Sequence, residues 1–281
     1  MSTGPQASLL PDGRRLHLHH GPIDLIIEAF GPERSTCYEQ AIRRFQSLLV
    51  DLVEDLPALR APITERHIFG DPVAKRMAGA VSPYRDVFVT PMAAVAGAVA
   101  DEVLSALVRG RRVSKAYVNN GGDIAFHLMP GEHVTSLGPA GAIEIAFDAP
   151  ARGLATSGAG GRSHSLGIAD AVTVAARTAA EADVAATLIA NAVDLPGHSA
   201  IRREKASELS PDSDLGERLV TSAVGALMPD DVETALDRGE ALAERFRREG
   251  KILEAVLTLK GQNRVVAARP KIKTAGALVH V

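Results

Sequence analysis

A glycine-rich segment at residues 119–123 has residue types that could bind a phosphate or the polar edge of a ring. Its candidate ligand-binding residues are Asn119, Gly121, Gly122 and Asp123. Adjacent glycines permit positive φ angles and leave backbone N–H groups uncovered, which suits an anionic ligand. Asn and Asp also favour plain hairpin turns, so a purely structural turn is the alternative interpretation.

A second polar segment, residues 156–164, combines backbone donors with a guanidinium and an imidazole. It contains Thr156, Ser157 and Gly158, followed by Arg162 and His164. Such a set could bind a pyrophosphate and move a proton. The alternative is a mobile linker, which the apolar segments on both sides make less favourable.

The third candidate is a pair of oxygen-bearing side chains on a predicted helix that Thr178 and Glu181 begin as a capping box. Asp183 and Thr187 are four residues apart, so both project from one helix face. A carboxylate and a hydroxyl among small residues suit Mg²⁺, a hard cation with oxygen ligands. The alternative is an Asp that the helix dipole favours, with a Thr bonded to its own backbone.

Several predicted elements position these segments. Thr90-Pro91 predicts a helix start, with Thr90 as N-cap and the helix running to Val108. Apolar runs flank the first two segments as strands, and strands and helices mix without regular βαβ alternation, so we expect an α+β fold. Residues 58–86 are broken by Pro and Gly and predict a long, partly irregular connection, and residues 195–215 predict a surface loop.

The composition of the 281-residue chain restricts the function classes. It has 46 Ala and 25 Gly but no Trp, which favours closely packed backbones and a backbone-lined cleft. A net charge of −3 argues against a nucleic-acid partner held by electrostatics. A single Cys, a polar N-terminus and the absence of an apolar run near 18 residues predict a cytoplasmic protein without disulfides or membrane spans.

Three histidines near the N-terminus were considered as a metal site. His17, His19 and His20 follow one another closely, but no carboxylate or Cys lies at matching spacing. A solvated hairpin strand is therefore the favoured interpretation. Cys37 has no candidate partner in the sequence and is interpreted as structural.

Taken in order, the motifs resemble those of the ApbE superfamily of Mg²⁺-dependent flavin transferases. A G-x-x-x-D helix pattern (Gly97, Asp101) precedes the N-x-G-G-D turn at 119–123, and T-S-G and S-H elements follow within residues 156–164. An A-D-x-x-x-T helix start matches Ala182, Asp183 and Thr187. The match is good over residues 90–193 and thin outside them.

The resemblance implies a single domain, residues 1–281, with an ApbE-like fold of two related α+β lobes around a cleft that binds FAD. The N-terminal hairpin and helix (10–57) and the C-terminal helix and hairpin (229–281) would complete it. It implies that Mg²⁺ is bound by Asp183, Thr187 and Ala182, with His164 and Arg162 catalytic. A hydroxyl of an acceptor protein, or water, would attack the flavin-side phosphorus and release AMP.

Two departures from the family pattern keep other functions open. Transferases carry a Lys in an A-K-G sequence where this chain has Val95-Ala96-Gly97, and the loop after Ser163-His164 is shortened. The alternatives are a flavin- or small-ligand-binding protein without transferase chemistry, or an enzyme of unknown substrate that uses the same cleft. We expect a homodimer, because this is the commonest assembly.

Overall fold

The computed structural model describes residues 4–63, 68–138, 141–161 and 163–267. Within these ranges the chain forms thirteen strands and seven α-helices. The strands are β1 (Gln6–Leu9), β2 (Leu16–His20), β3 (Ile23–Phe30), β4 (Lys115–Asn120), β5 (Asp123–Leu128), β6 (His133–Gly138), β7 (Gly141–Ala146), β8 (Gly153–Ser157), β9 (Ala171–Ala176), β10 (Ile201–Lys205), β11 (Leu219–Val224), β12 (Glu254–Leu259) and β13 (Gln262–Val266). The helices are α1 (Arg34–Glu54), α2 (Leu56–Leu59), α3 (Pro72–Val81), α4 (Val95–Val108), α5 (Ala179–Ala192), α6 (Ala206–Leu209) and α7 (Pro229–Arg248).

Nine of these strands form one antiparallel sheet in the order β1-β2-β3-β4-β5-β8-β9-β12-β13. The predicted α+β class is confirmed. Helix α4 packs on β4 and β5, α5 packs on β8 and β9, and α7 packs on β12 and β13. The long helices therefore share one face of the sheet, and the hairpin β6–β7 contributes to a smaller apolar cluster with Phe126 and Leu154.

Small residues let α4 and α5 approach each other and the sheet closely, as the composition predicts. A Cβ atom at Gly97 would lie 2.3 Å from the Ala179 carbonyl oxygen, and one at Gly153 would lie 2.1 Å from the Ala179 nitrogen. Because backbone occupies both positions, no side chain fits there. The N-terminal ends of α4 and α5 therefore meet above strand β8.

Two connections that the sequence suggested were irregular contain regular structure. Asp71 caps α3 by accepting hydrogen bonds from Val73 N (2.8 Å) and Ala74 N (3.0 Å), and Pro72 occupies the first helical position. Residues 201–224 form the hairpin of β10 and β11 rather than an open loop. Helix α3 is the regular part of the connection at 58–86, which was predicted to be partly irregular. The surface loop expected for 195–215 is wrong within 201–205 and 206–209.

One helical span, Pro91–Val108, is apolar enough over 18 residues to cross a membrane, with a mean hydropathy of 1.5. The expectation that no apolar run approaches this length is therefore wrong. The span includes α4, which lies between α1, α5 and the sheet, and half of it is buried within the fold. Its apolar character is explained by its place in the core.

The N-terminal histidines lie on opposite faces of β2. His17 Nε2 lies 3.2 Å from Asp24 Oδ1 across the hairpin, whereas His20 is buried in the core beside the Phe45 ring. The prediction of a solvated strand is therefore wrong for His20. Cys37 is buried in α1, as a structural residue would be.

Candidate functional site

Helices α4 and α5 cap each other's N-termini through two aspartates. Gly97 N, in the first turn of α4, donates to Asp183 Oδ2 of α5 at 3.0 Å. In return, Ala179 N and Ala180 N of α5 donate to the Asp101 carboxylate of α4 at 3.1 and 2.9 Å. The first N–H groups of a helix have no acceptor within the helix and favour nearby negative charge. Each carboxylate therefore accepts hydrogen bonds from the N-terminal N–H groups of the other helix. Asp101, the acidic residue of the G-x-x-x-D pattern, is therefore a cap of α5.

Removing the Asp101 carboxylate should destabilise the fold in a pH-dependent way. Burial raises the pKa of Asp101 to about 6. Since this exceeds the value of about 4 in an unfolded chain, ionisation disfavours the fold, and the contribution of Asp101 to stability falls between about pH 4 and pH 6. Asp101→Ala leaves two helix N–H groups without acceptors and should lower the free energy of unfolding by about 1–2 kcal/mol at pH 7.

Urea unfolding from pH 4 to pH 7 measures both effects. The difference between the wild type and Asp101→Ala should be larger at pH 4 than at pH 7. Asp86→Ala, at an exposed position, should stay within about 0.5 kcal/mol of the wild type throughout. An Asp101→Ala curve parallel to that of Asp86→Ala would contradict the capping role.

The glycine-rich segment forms the tight turn between β4 and β5. Gly121 and Gly122 both have positive φ, 66° and 114°, and Asn119 Oδ1 accepts from Gly122 N at 2.8 Å. The neighbouring Asn120 donates through Nδ2 to Ala96 O at 3.1 Å, next to the start of α4. The predicted turn is thus confirmed, and it also brings its polar ends to the α4 terminus.

Asp123 and Asp183 lie close enough for their charges to interact. The Asp123 Oδ1 atom accepts from Thr156 N at 3.2 Å, which holds the carboxylate at the end of β5. Burial raises the pKa of Asp183 well above its ordinary value, and the charge of Asp123 raises it further. A buried carboxylate with a raised pKa beside a second carboxylate forms a site that a bound cation would stabilise.

Hydroxyl groups from α5 and β8 lie next to this pair. Thr187 is one turn beyond Asp183, and its Oγ1 lies 3.5 Å from Ser157 Oγ. Thr156 is different, because its Oγ1 lies 2.9 Å from Thr173 Oγ1 on the other face of the sheet. Only the backbone N–H of Thr156 therefore reaches the site.

The remaining predicted site residues are placed less centrally. Ala182 is buried inside α5, where its carbonyl belongs to the helical hydrogen-bond ladder. Gly158 packs on the backbone of Asp170, because a Cβ added at Gly158 would lie 2.6 Å from the Asp170 carbonyl oxygen. His164 Nε2 lies 3.2 Å from Ser210 Oγ, and among the described residues no hydrogen bond joins it to Asp183. Arg162 lies outside the described residues.

Sequence reasoning missed two contacts of the segment that leads into α4. Thr90 does not cap the helical turn Pro91–Ala94 with its side chain, but donates from Oγ1 to Asp214. Phe88 carries the Arg218 guanidinium over its ring. Nothing in the local pattern near residue 90 indicates a partner 124 residues away.

The aromatic residues nearest the glycine turn in sequence do not line this site. The Tyr117 hydroxyl donates to Glu28 Oε2 at 3.2 Å, and Phe126 is buried in the apolar cluster that includes β6–β7 residues. Both belong to the sheet face opposite α4 and α5. Within the described part of the chain, no group of three or more His, Cys, Asp or Glu residues is arranged to bind a metal without further ligands.

Comparison with known proteins shows the family. A UPF0280 protein of Methanopyrus kandleri is 30% identical over 254 residues, which cover 88% of this chain and 87% of the relative. UPF0280 proteins of Methanothrix thermoacetophila and Methanothermobacter thermautotrophicus are 39% and 34% identical over 155 residues, and each alignment covers 59% of the relative. The family model described as "AbpE bacteria" matches residues 7–265. This chain therefore belongs to the AbpE bacteria family and is a relative of the archaeal UPF0280 proteins.

Proposed function

We propose that the chain is a Mg²⁺-dependent protein that acts on FAD or a related dinucleotide, with an ApbE-like fold of two related lobes. The observation that carries the proposal is the carboxylate pair of Asp123 and Asp183 at the α4 N-terminus, with the Thr187 hydroxyl one turn further along α5. Membership of the AbpE bacteria family supports the same interpretation.

The pairing of α4 and α5 supports the proposal of two related lobes. Both helices have 14 residues, and each packs on its own pair of antiparallel strands. In each helix a backbone N–H donor, at Gly97 or Ala179, lies four residues before the aspartate that caps the other helix. This reciprocal arrangement is what two related halves would produce.

The donor set fits Mg²⁺. The side chains that could ligate an ion here, Asp123, Asp183 and Thr187, all offer oxygen atoms, and burial raises the pKa of Asp183, so a bound cation would favour its ionised form. Asp183 and Thr187 would hold the ion, and Asp123 lies close enough to add to its electrostatic stabilisation. When bound with a dinucleotide, Mg²⁺ would neutralise charge on the phosphates.

The chain's own residues would position the reaction. The glycine turn would let phosphate oxygens approach its backbone closely, because Gly122 has no side chain to cover the turn and a Cβ there would meet nothing within 4 Å. His164 would accept the proton from the attacking hydroxyl, of water or of an acceptor protein, with Ser210 orienting its imidazole. A new P–O bond would form at the flavin-side phosphorus while the pyrophosphate P–O bond breaks and AMP leaves.

Product analysis tests this proposal. Purified protein with FAD and Mg²⁺ should release AMP and FMN, or AMP alone when an acceptor takes the FMN, and chelation by EDTA should stop the release. Saturable FAD binding without AMP would instead favour a flavin-binding protein, which the absent Lys near Gly97 and the shortened loop suggest. A protein that neither binds FAD nor releases AMP would overturn both interpretations.

A further inference from the structure

The Thr187 hydroxyl of α5 donates its proton to the sheet instead of to its own helix. A threonine inside a helix often bonds to the carbonyl oxygen four residues earlier, as Thr234 of α7 does to Asp230 O at 2.8 Å. Thr187 Oγ1 instead donates to Ser157 Oγ, 3.5 Å away in β8. Among the described residues, Thr187 thus departs from the backbone-bonded pattern that would make it a purely structural residue.

The strand that carries Ser157 is fixed beside the carboxylate pair. Thr156 N donates to Asp123 Oδ1 at 3.2 Å, and the charge of Asp123 acts on Asp183. Thr156 Oγ1 lies 2.9 Å from Thr173 Oγ1 on the far face of the sheet, so strand alternation directs the next side chain, Ser157, to the face where α5 packs. Ser157 therefore lies between the strand end at Asp123 and the helix with the proposed metal ligands.

The chemistry of a hydroxyl ligand explains what the Ser157 contact could do. A neutral hydroxyl ligates a cation through an oxygen lone pair, so its proton needs another acceptor. Ser157 Oγ is that acceptor for Thr187. The separation of 3.5 Å is long for a hydrogen bond between hydroxyls, so the contact by itself stabilises the fold little. A cation on Thr187 Oγ1 would make its proton more acidic and strengthen the bond.

We propose that Ser157 is a positioning residue of the cation site, which accepts the Thr187 proton and thereby directs a Thr187 lone pair to the ion beside Asp183. This inference rests on the proposed function, because it needs Mg²⁺ at Asp183 and Thr187. Ser157 itself does not touch the ion. Groups that orient metal ligands in this way typically change metal affinity by about 10–100-fold when they are removed.

Mg²⁺ titration of the full chain, followed by calorimetry and by thermal unfolding, tests Ser157. Ser157→Ala should weaken Mg²⁺ binding by about tenfold. Its unfolding midpoint without Mg²⁺ should stay within about 2 °C of the wild type, because the lost contact is long. Ser157→Thr keeps a hydroxyl on the same Cβ and should restore most of the affinity.

Thr173→Val is the matched control. The Thr173 hydroxyl makes a shorter contact than the Ser157 hydroxyl, 2.9 Å to Thr156 Oγ1, and lies on the far face of the sheet. Valine keeps the shape of the side chain and removes only the hydroxyl. This variant should lower the unfolding midpoint by about 2–4 °C without Mg²⁺, yet bind Mg²⁺ as the wild type does.

A double-mutant cycle with Thr187→Val tests whether Ser157 acts through Thr187. Thr187→Val removes the ligand hydroxyl and should itself weaken Mg²⁺ binding. Adding Ser157→Ala to it should cause no further loss, because the proton that Ser157 accepts is then absent. Losses of affinity that multiply independently would contradict the positioning role.

The outcomes separate this inference from the function on which it rests. Wild-type protein that shows neither heat nor a midpoint shift with Mg²⁺ would overturn the cation site and the role of Ser157 together. Wild-type protein that binds Mg²⁺ while Ser157→Ala binds it equally well would overturn the role of Ser157 alone. Ser157-dependent Mg²⁺ binding in a protein that neither binds FAD nor releases AMP would support Ser157 and contradict FAD as the ligand.

Discussion

Asp183→Asn should reduce Mg²⁺-dependent release of AMP from FAD by at least about 100-fold, since a metal-bound charge at the phosphates contributes several kcal/mol to catalysis. Asn keeps an oxygen that can accept from Gly97 N, so the cap on α4 is preserved while the negative charge is removed. The variant therefore tests the charge of Asp183 separately from its structural role.

The raised pKa of Asp183 gives a second, independent readout. Because ionised Asp183 is disfavoured in the folded protein, it lowers stability as pH rises through its folded pKa. Without Mg²⁺, Asp183→Asn should thus be at least as stable as the wild type near pH 7. With Mg²⁺, the melting temperature of the wild type should rise while that of the variant does not, because only the wild type binds the ion.

Glu181→Gln is the control for both measurements. It removes one carboxylate from the first turn of the same helix, two residues from Asp183. It should release AMP at the wild-type rate and retain the Mg²⁺-dependent rise in melting temperature. If Asp183→Asn also behaved in this way, Asp183 would be a helix cap only, and the proposed metal site would be wrong.

Gly97→Ala should cause a large loss of stability, about 3 kcal/mol in the free energy of unfolding. The added Cβ would lie 2.3 Å from the Ala179 oxygen, 2.4 Å from the Ala179 carbonyl carbon and 2.7 Å from Ala180 N. All three atoms are backbone, so no side-chain rotation relieves the clash. The helices must separate, and the Gly97–Asp183 and Asp101–Ala180 hydrogen bonds should weaken with them.

Gly79→Ala is the matched control for this substitution. Gly79 lies within α3, and a Cβ there would meet nothing within 4 Å. Alanine should stabilise this helix by about 0.5 kcal/mol, because it restricts the unfolded chain. Urea unfolding measures both variants, and a Gly97→Ala protein as stable as Gly79→Ala would contradict the close approach of α4 and α5.

Local sequence patterns predicted much of the fold because their causes are local. The turn at Gly121-Gly122 follows from positive φ angles that glycine adopts freely, and Thr178 caps α5 by accepting from Glu181 N at 3.1 Å, as its spacing predicted. The sequence similarly placed Asp183 and Thr187 on one helix face. The Pro and Gly residues of 58–86 did not show which part of that connection is regular, and Pro72 begins a helix rather than breaking one.

The candidate site was only partly predictable from the sequence, because the side-chain alternation of strands and the packing of distant segments decide which groups meet. Thr156 and Ser157 are neighbours in sequence, yet β8 directs their side chains to opposite faces of the sheet, so only Ser157 reaches Thr187. Tyr117 and Phe126 are the aromatic residues nearest the glycine turn in sequence, and the same alternation places them on the far face of the sheet.

The sequence alone determined the α+β class, the glycine turn and the Asp183–Thr187 face, because turn chemistry and periodicity act over a few residues. Only the tertiary structure decided that Gly97 N binds Asp183 across 86 residues and that Asp101 caps α5 in return. The physical reason is that the sheet order brings β4–β5 and β8–β9 side by side, which forces two helix termini with unsatisfied N–H groups together. Each terminus then needs a carboxylate, and the other helix provides it.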